Sequence, residues 1–201
     1  VWRDNRNGDS DIYLYNLATQ TETSIAINNS DQTYPDISDN KIVWQDSRNV
    51  NSDIYLYDLT TETETQITTD NSEQAYPDIS GDKIVWQDSR NGNADIYLYN
   101  LTTQTETQIT TDGSEQSSPV ISGDKIVWYD YRNGNYDIYL YDLATQIETR
   151  ITTNGSEQYS PAISGDKIVW QDYRNGNADI YLYDLATQIE TRITTNGSEQ
   201  Y

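Results

Sequence analysis

IVWQDSRNGNADIYLYNL, residues 84–101, decides the fold. Ile84, Val85 and Trp86 open it, the run IYLYNL closes it, and the residues between are polar and carry Asn91-Gly92. β-branched and aromatic runs on either side of a turn-forming dipeptide read as two strands of a hairpin. Near copies of the phrase recur along the chain, with tryptophan at 2, 44, 86, 128 and 170, a period of 42 without insertion. A fixed period is the signature of a repeat architecture. The units run 1–42, 43–84, 85–126, 127–168 and 169–201, the last incomplete, and together form a single domain.

Within residues 117–153 four short runs follow one another: SSPVIS, KIVWYD, DIYLYDL and IETRITT, separated by the turn segments Ser122-Gly123-Asp124, Asn133-Gly134-Asn135 and Ala144-Thr145-Gln146. Asn, Asp, Thr, Ser and Gly interrupt every window before a 3.6-residue period develops, so no amphipathic helix is expected. In the third run Ile138 and Leu140 point to one side of a strand, Tyr139 and Tyr141 to the other. Both faces of the sheet are then apolar, and each needs a neighbour. The pattern predicts an all-β chain, a β-propeller of five blades with four antiparallel strands each. An open solenoid would need polar end units, but the first and last units carry the same pattern as the rest, which favours a closed ring. Five full units would take 210 residues, and the counterparts of 160–168 do not follow Tyr201. The terminal blade is therefore expected to be incomplete. It would have three strands, belong to a longer array of repeats, or offer an unpaired edge for strand exchange or self-association.

Composition narrows the chemistry. The net charge of −21 comes from 33 acids against 12 bases, which disfavours nucleic acid and anionic lipid as partners. Apolar runs of four to six residues are too short for membrane insertion. With no His and no Cys, imidazole-based catalysis and His- or Cys-ligated metals are excluded, leaving carboxylates, amides and hydroxyls. Leu, Ile, Val and Phe make up only about a fifth of the chain, a level that with this charge is typical of disorder. The 18 tyrosines and 5 tryptophans tip the balance towards a folded chain. Each can bury roughly 150–250 Å², and they recur at fixed positions, so the predicted core is aromatic.

The unit P-x-I-S-G-D-K-I-V-W-x-D-x-R-N-G-N-x-D-I-Y-L-Y-D-L, followed by E-T-x-I-T-T, resembles the propeller repeats of the TolB-like superfamily over the whole chain. The matching positions include Pro161, Gly165, Trp170, Arg174, Asp179 and Tyr181, with Ile193-Thr194 ending the next strand. The resemblance implies that the Pro-x-Ile-Ser strand lines a central channel and that later strands lie progressively outward. It also implies a bacterial or archaeal cell-surface setting. Two departures stand out. Ile37, Ile79, Ile121 and Ile163 replace a usual aromatic, and familiar family members close with six blades.

Candidate sites fall in three places. Asp88, Arg90 and Asp95 in the Asn-Gly hairpin read as a structural network in which Arg90 pairs with the flanking carboxylates and Asn-Gly takes the positive φ angles of a tight turn. Val50, which replaces glycine in the second unit, should give a different turn. Calcium is the alternative for this loop, but Arg90 stands where a ligand oxygen is required. The loops entering the channel strands carry Asp31, Glu73, Glu115, Glu157 and Glu199, near Tyr34, Tyr76 and Tyr159. Acids, amides and aromatics together suit a binding rim for a glycan or a surface protein. Asp36 and Asp78 follow proline in two adjacent units where the next two have Val120 and Ala162, so two carboxylates at the channel mouth could hold a ligand, bind a cation or share a proton.

No cofactor is expected, with calcium the one alternative. Because nearly every acid is copied in each unit, the sequence reads as a non-catalytic extracellular or cell-surface scaffold for multivalent binding or surface assembly. A carboxylate-dependent glycoside hydrolase and a purely structural repeat are the alternatives. Asn-x-Ser/Thr triplets at Asn28, Asn100, Asn154 and Asn196 fit export.

Overall fold

The computed structural model describes residues 1–195 and residue 200; the triplet at Asn196 and the rim acid Glu199 lie outside the described residues. Among those described there are nineteen strands and no helix. The first sheet has three strands, β1 (Trp2–Asp4), β2 (Asp11–Asn16) and β3 (Thr21–Ala26). The second comprises β4 (Gln32–Ser38), β5 (Lys41–Asp46), β6 (Asp53–Asp58) and β7 (Thr63–Gln66). The third comprises β8 (Gln74–Ser80), β9 (Lys83–Asp88), β10 (Asp95–Asn100) and β11 (Thr105–Gln108). The fourth comprises β12 (Gln116–Ser122), β13 (Lys125–Asp130), β14 (Asp137–Asp142) and β15 (Ile147–Arg150). The fifth comprises β16 (Gln158–Ser164), β17 (Lys167–Asp172), β18 (Asp179–Asp184) and β19 (Ile189–Arg192).

Strands within every sheet are antiparallel and in chain order, and β4, β8, β12 and β16 pack on one another in succession around the axis. The chain is a five-bladed β-propeller whose first blade carries three strands, with the Pro-x-Ile-Ser strand innermost. Blade boundaries do not coincide with the tryptophan-based units. Each 42-residue unit supplies three strands to one blade and the innermost strand to the next, so neighbouring blades are tied through the backbone.

The two-faced strand pattern accounts for the packing. Val127, Ile138 and Leu140 of the fourth blade bury against Ile168, Trp170 and Tyr181 of the fifth. The same set of residue types joins the third blade to the fourth, the second to the third and the first to the second. Trp44, Trp86 and Trp128 are fully buried, and each stacks on the tyrosine opposite it, as Trp128 does on Tyr139 at 6.0 Å between centroids. Among the described residues no such cluster joins the fifth blade to the first. Val169, Ile180 and Leu182 are only partly buried where their counterparts in the fourth blade are buried, and Trp2 is likewise partly exposed. The expected closure of the ring is thus not made by this kind of packing.

The outermost strands end earlier than the Ile-Thr-Thr pattern predicts, at Arg150 and Arg192. Thr152 explains this. Its Oγ1 accepts the Ile138 N–H at 2.8 Å, replacing a backbone acceptor and ending the ladder.

The hairpin phrase builds a buried ion network. Asp88 is fully buried and accepts from the Trp86 indole at 3.0 Å, from the Arg90 amide at 3.0 Å and from the Arg90 guanidinium at 2.6 Å. Arg90 lies over the Tyr97 ring, 4.3 Å from its centroid, and its other nitrogen donates to Glu106 on β11 at 2.6 Å. The expected pairing of Arg90 with Asp95 is therefore corrected. Asp95 instead accepts from Asn91 at 2.9 Å, Asn93 at 3.1 Å and Gln108 at 3.0 Å, because its side chain lies on the side of the hairpin facing those amides. The turn differs as well. Only Gly92 takes a positive φ, at 94°, while Asn91 uses its side chain to bridge Asp95 and the Tyr97 hydroxyl. Gly92 donates back to Ser89 at 3.2 Å; Val50 has neither this bond nor the positive φ.

Two outcomes follow. Trp128→Ala should cost about 3–5 kcal/mol in urea unfolding and Trp2→Ala less than half as much; equal losses would contradict the packing described. Arg90→Met, which leaves Asp88 buried without its guanidinium, should cost about 3 kcal/mol, measured by the same unfolding curves. A change below about 0.5 kcal/mol, as for a surface pair, would contradict the network.

Candidate functional site

The β5–β6 type hairpins and the loops linking one blade to the next emerge at one end of the propeller. Asn135 in the hairpin donates to the Ser156 carbonyl at 2.9 Å, and the Tyr136 amide donates to Glu157 at 2.9 Å. Asn and Asp side chains close these loops from within. Asn28, Asp112 and Asn154 each accept the backbone N–H two residues on, at 3.0 Å, and Asn100 does the same at 2.9 Å in the turn at the opposite end, so the three described glycosylation triplets all have their amides engaged in loop structure.

The innermost strands carry a feature that the sequence reading missed. Each contains a β-bulge, between Thr33 and Asp36 in β4 and at the same place in β8, β12 and β16. The residue before proline sits there with positive φ: Tyr34 at 51°, Tyr76 at 54°, Ser118 at 50° and Ser160 at 49°. Non-glycine residues in this region are strained by about 1–3 kcal/mol and collect at ligand sites. A bulge also redirects its side chain. The signal was present, because proline inside a strand pattern marks an edge or a bulge.

At this end, departures from the repeat converge. Tyr129 stands where other blades have glutamine or arginine, Tyr131 and Tyr173 where they have serine or asparagine, and Tyr136 where they have serine or alanine. With Tyr159 they form a continuous cluster across the fourth and fifth blades. Tyr129 meets Tyr136 at 5.1 Å and Tyr159 at 5.6 Å, Tyr131 meets Tyr136 at 4.9 Å, and Tyr159 meets Tyr173 at 5.9 Å between ring centroids. The Tyr136 hydroxyl donates to Glu115 at 3.1 Å and the Tyr159 hydroxyl to Glu157 at 3.2 Å. Burial and the adjacent carboxylates push both phenols up to about 12, so they remain neutral donors. Tyr34 and Tyr76 form a second group, edge to face at 4.6 Å. Of the predicted rim residues, Glu115, Glu157 and Tyr159 belong to the cluster and Tyr34 and Tyr76 to the pair, while Glu73 is exposed on its loop. Tyr129, Tyr131, Tyr136 and Tyr173 were missed, although their breaking of the repeat was legible.

Asp36 and Asp78 come together on neighbouring inner strands. Asp36 accepts the Ile79 amide at 3.0 Å, and Asp78 accepts the Ile121 amide at 2.6 Å, each reaching into the following blade. Burial, followed by the hydrogen bond to Asp36 and its charge, pushes the Asp78 carboxyl up to about 8. Among the described residues no group of three or more acids is placed to hold a metal ion. A cavity of about 350 Å³ between the first and second blades lies at the opposite end, lined by Leu14, Ile25, Tyr57 and Leu59 with one carboxylate, Glu62.

No protein-family model matches the sequence, and no curated protein matches it. Solved structures do. A TolB from Acinetobacter baumannii superposes with a TM-score of 0.73 at 22% identity, covering 98% of this chain and 51% of its own, so this chain spans about half the length of that protein. An oligogalacturonate lyase in complex with manganese gives 0.73 at 14% identity, covering 96% of this chain and 61% of its own. A prolyl endopeptidase structure gives 0.72 at 12% identity, covering 98% and 36%. These matches correct the expectation of a non-catalytic chain: the same fold occurs in enzymes, and repetition of the acids gives no ground for excluding catalysis when the mouth residues break the repeat. At these identities the likeness is one of fold alone: a β-propeller similar to those in the TolB, oligogalacturonate lyase and prolyl endopeptidase structures.

Proposed function

We propose that the chain is a cell-envelope propeller that binds surface glycans at its channel mouth. The observation that carries this reading is the gathering of five tyrosines, at positions where the first three blades hold other, non-aromatic side chains, around two hydrogen-bonding glutamates. Aromatic rings present apolar faces to the C–H surface of a sugar, and carboxylates accept from its hydroxyls. The Tyr34–Tyr76 pair adds a second contact area at the same end, so a chain-like ligand could engage both and gain avidity. Attachment of several copies to a surface would extend that gain.

A second reading has its own observation. Asp36 and Asp78 are hydrogen-bonded to each other, and a carboxyl raised to about 8 beside another carboxylate suits general acid–base chemistry by a dyad that shares one proton. Each also accepts an amide of the following blade, so the pair doubles as a latch between blades.

On a glycan array, Tyr136→Ala combined with Tyr159→Ala should weaken the wild-type signals at least about tenfold, the scale of lost aromatic contacts, while Ile147→Thr on the outer rim leaves them intact. Array signals unchanged in the double variant would refute the proposed mouth site. For the pair, the raised Asp78 pKa means that its contribution is fully present below about pH 4 and is lost as pH rises to about 8. Asp78→Asn, fixed in the neutral state, should therefore melt several degrees higher than wild type at pH 8 and nearly level with it at pH 4. A pH-independent difference would rule out the shared proton. Reducing-sugar release that disappears in Asp78→Asn while binding persists would assign the pair to catalysis.

A further inference from the structure

We infer that the tyrosine cluster selects ammonium groups, so that its ligand is a cationic amino sugar in preference to the neutral or acidic counterpart. This rests on the reading of the mouth as a glycan site. Glu115 and Glu157 use Oε2 to accept from Tyr136 and Tyr159, and among the described residues no donor reaches either Oε1. Two carboxylates therefore retain open acceptor positions beside an aromatic surface. Tyr131 is 45% exposed and adds an accessible ring to it. An ammonium group is attracted both by carboxylates and by the faces of tyrosine rings.

No protein cation competes for this place. In the fourth and fifth blades Arg132 is held by Asp130 and Glu148, and Arg174 by Asp172 and Glu190. Arg150 is paired with Asp137 and Arg192 with Asp179. Lys125 and Lys167 pair with Asp166 and Asp184 at the far end of the sheets. Every basic side chain of these two blades is thus engaged elsewhere, and the overall charge of −21 adds a field of the same sign. An acidic saccharide would meet uncompensated carboxylates. A neutral one would use the rings and leave the Oε1 positions to its hydroxyls.

Three tetrasaccharides separate these cases: fully deacetylated chitotetraose, its N-acetylated form and tetragalacturonate. They are titrated by calorimetry at about pH 5.5, where the amines of the deacetylated sugar are protonated, in low and high salt. The deacetylated sugar should bind at least about tenfold more tightly than the acetylated one, with the difference shrinking in high salt, and tetragalacturonate should bind weakest. In Glu115→Gln/Glu157→Gln the preference should fall below about twofold, while Asp39→Asn/Glu62→Gln, which removes the same charge at the opposite end, should keep it. Equal binding of the two chito-sugars by wild type would overturn the charge selection and leave glycan binding standing. A preference lost equally in both double variants would assign it to bulk charge and overturn the site. Binding of none of the three would overturn both this inference and the reading beneath it.

Discussion

The contact between the tryptophan–tyrosine face of one blade and the aliphatic face of the blade before it is the interaction on which the rest depends. A strand reading Ile-Tyr-Leu-Tyr cannot leave either side in water, and four strands make a sheet too thin to bury both faces by itself. The solution is to give each sheet a neighbour on both sides. Trp44, Trp86 and Trp128 are each sealed between a stacked tyrosine and the Val, Ile and Leu of the preceding blade. With so few aliphatic residues in the chain, large rings supply the buried area that a conventional core would take from leucine.

Burying tryptophan in this way creates a second problem, the indole N–H, and its solution explains the most repeated phrase in the sequence. The indole donates to a buried aspartate two residues on, the arginine two further residues on neutralises that aspartate, and the arginine's own face rests on the tyrosine that stacks with the tryptophan. The outer end of the guanidinium reaches a glutamate on the last strand, so one ion network fastens three strands of each blade. A rigid frame of this kind frees the loops at one end to vary, and variation is concentrated there.

How much of this is legible in the sequence differs by residue. The period, strand order and two-sided core can be read from tryptophan spacing and from Ile138, Tyr139, Leu140 and Tyr141, because side-chain alternation in a strand is strictly geometric. Arg90 is recognisable as a charge partner, but its link to Glu106 spans sixteen residues and depends on strand register, which no local pattern reveals. The partners of Asp95 escape a local reading for the same reason. At the mouth, Tyr34, Tyr76 and Tyr159 can be identified from the loops, whereas Tyr129 and Tyr136 belong to a hairpin whose closeness to Tyr159 follows only from the sequential placing of blades. The bulge before each proline could be anticipated; the positive φ of a tyrosine there could not, since it depends on the fit between neighbouring inner strands.

Indole hydrogen exchange, followed by NMR, tests the central packing most directly. Trp44, Trp86, Trp128 and Trp170 donate to buried aspartates inside blade junctions, whereas Trp2 is partly exposed and its bond to Asp4 is long at 3.4 Å. The account predicts four indole protons that exchange slowly and one that exchanges fast. Five that exchange alike and rapidly would contradict it.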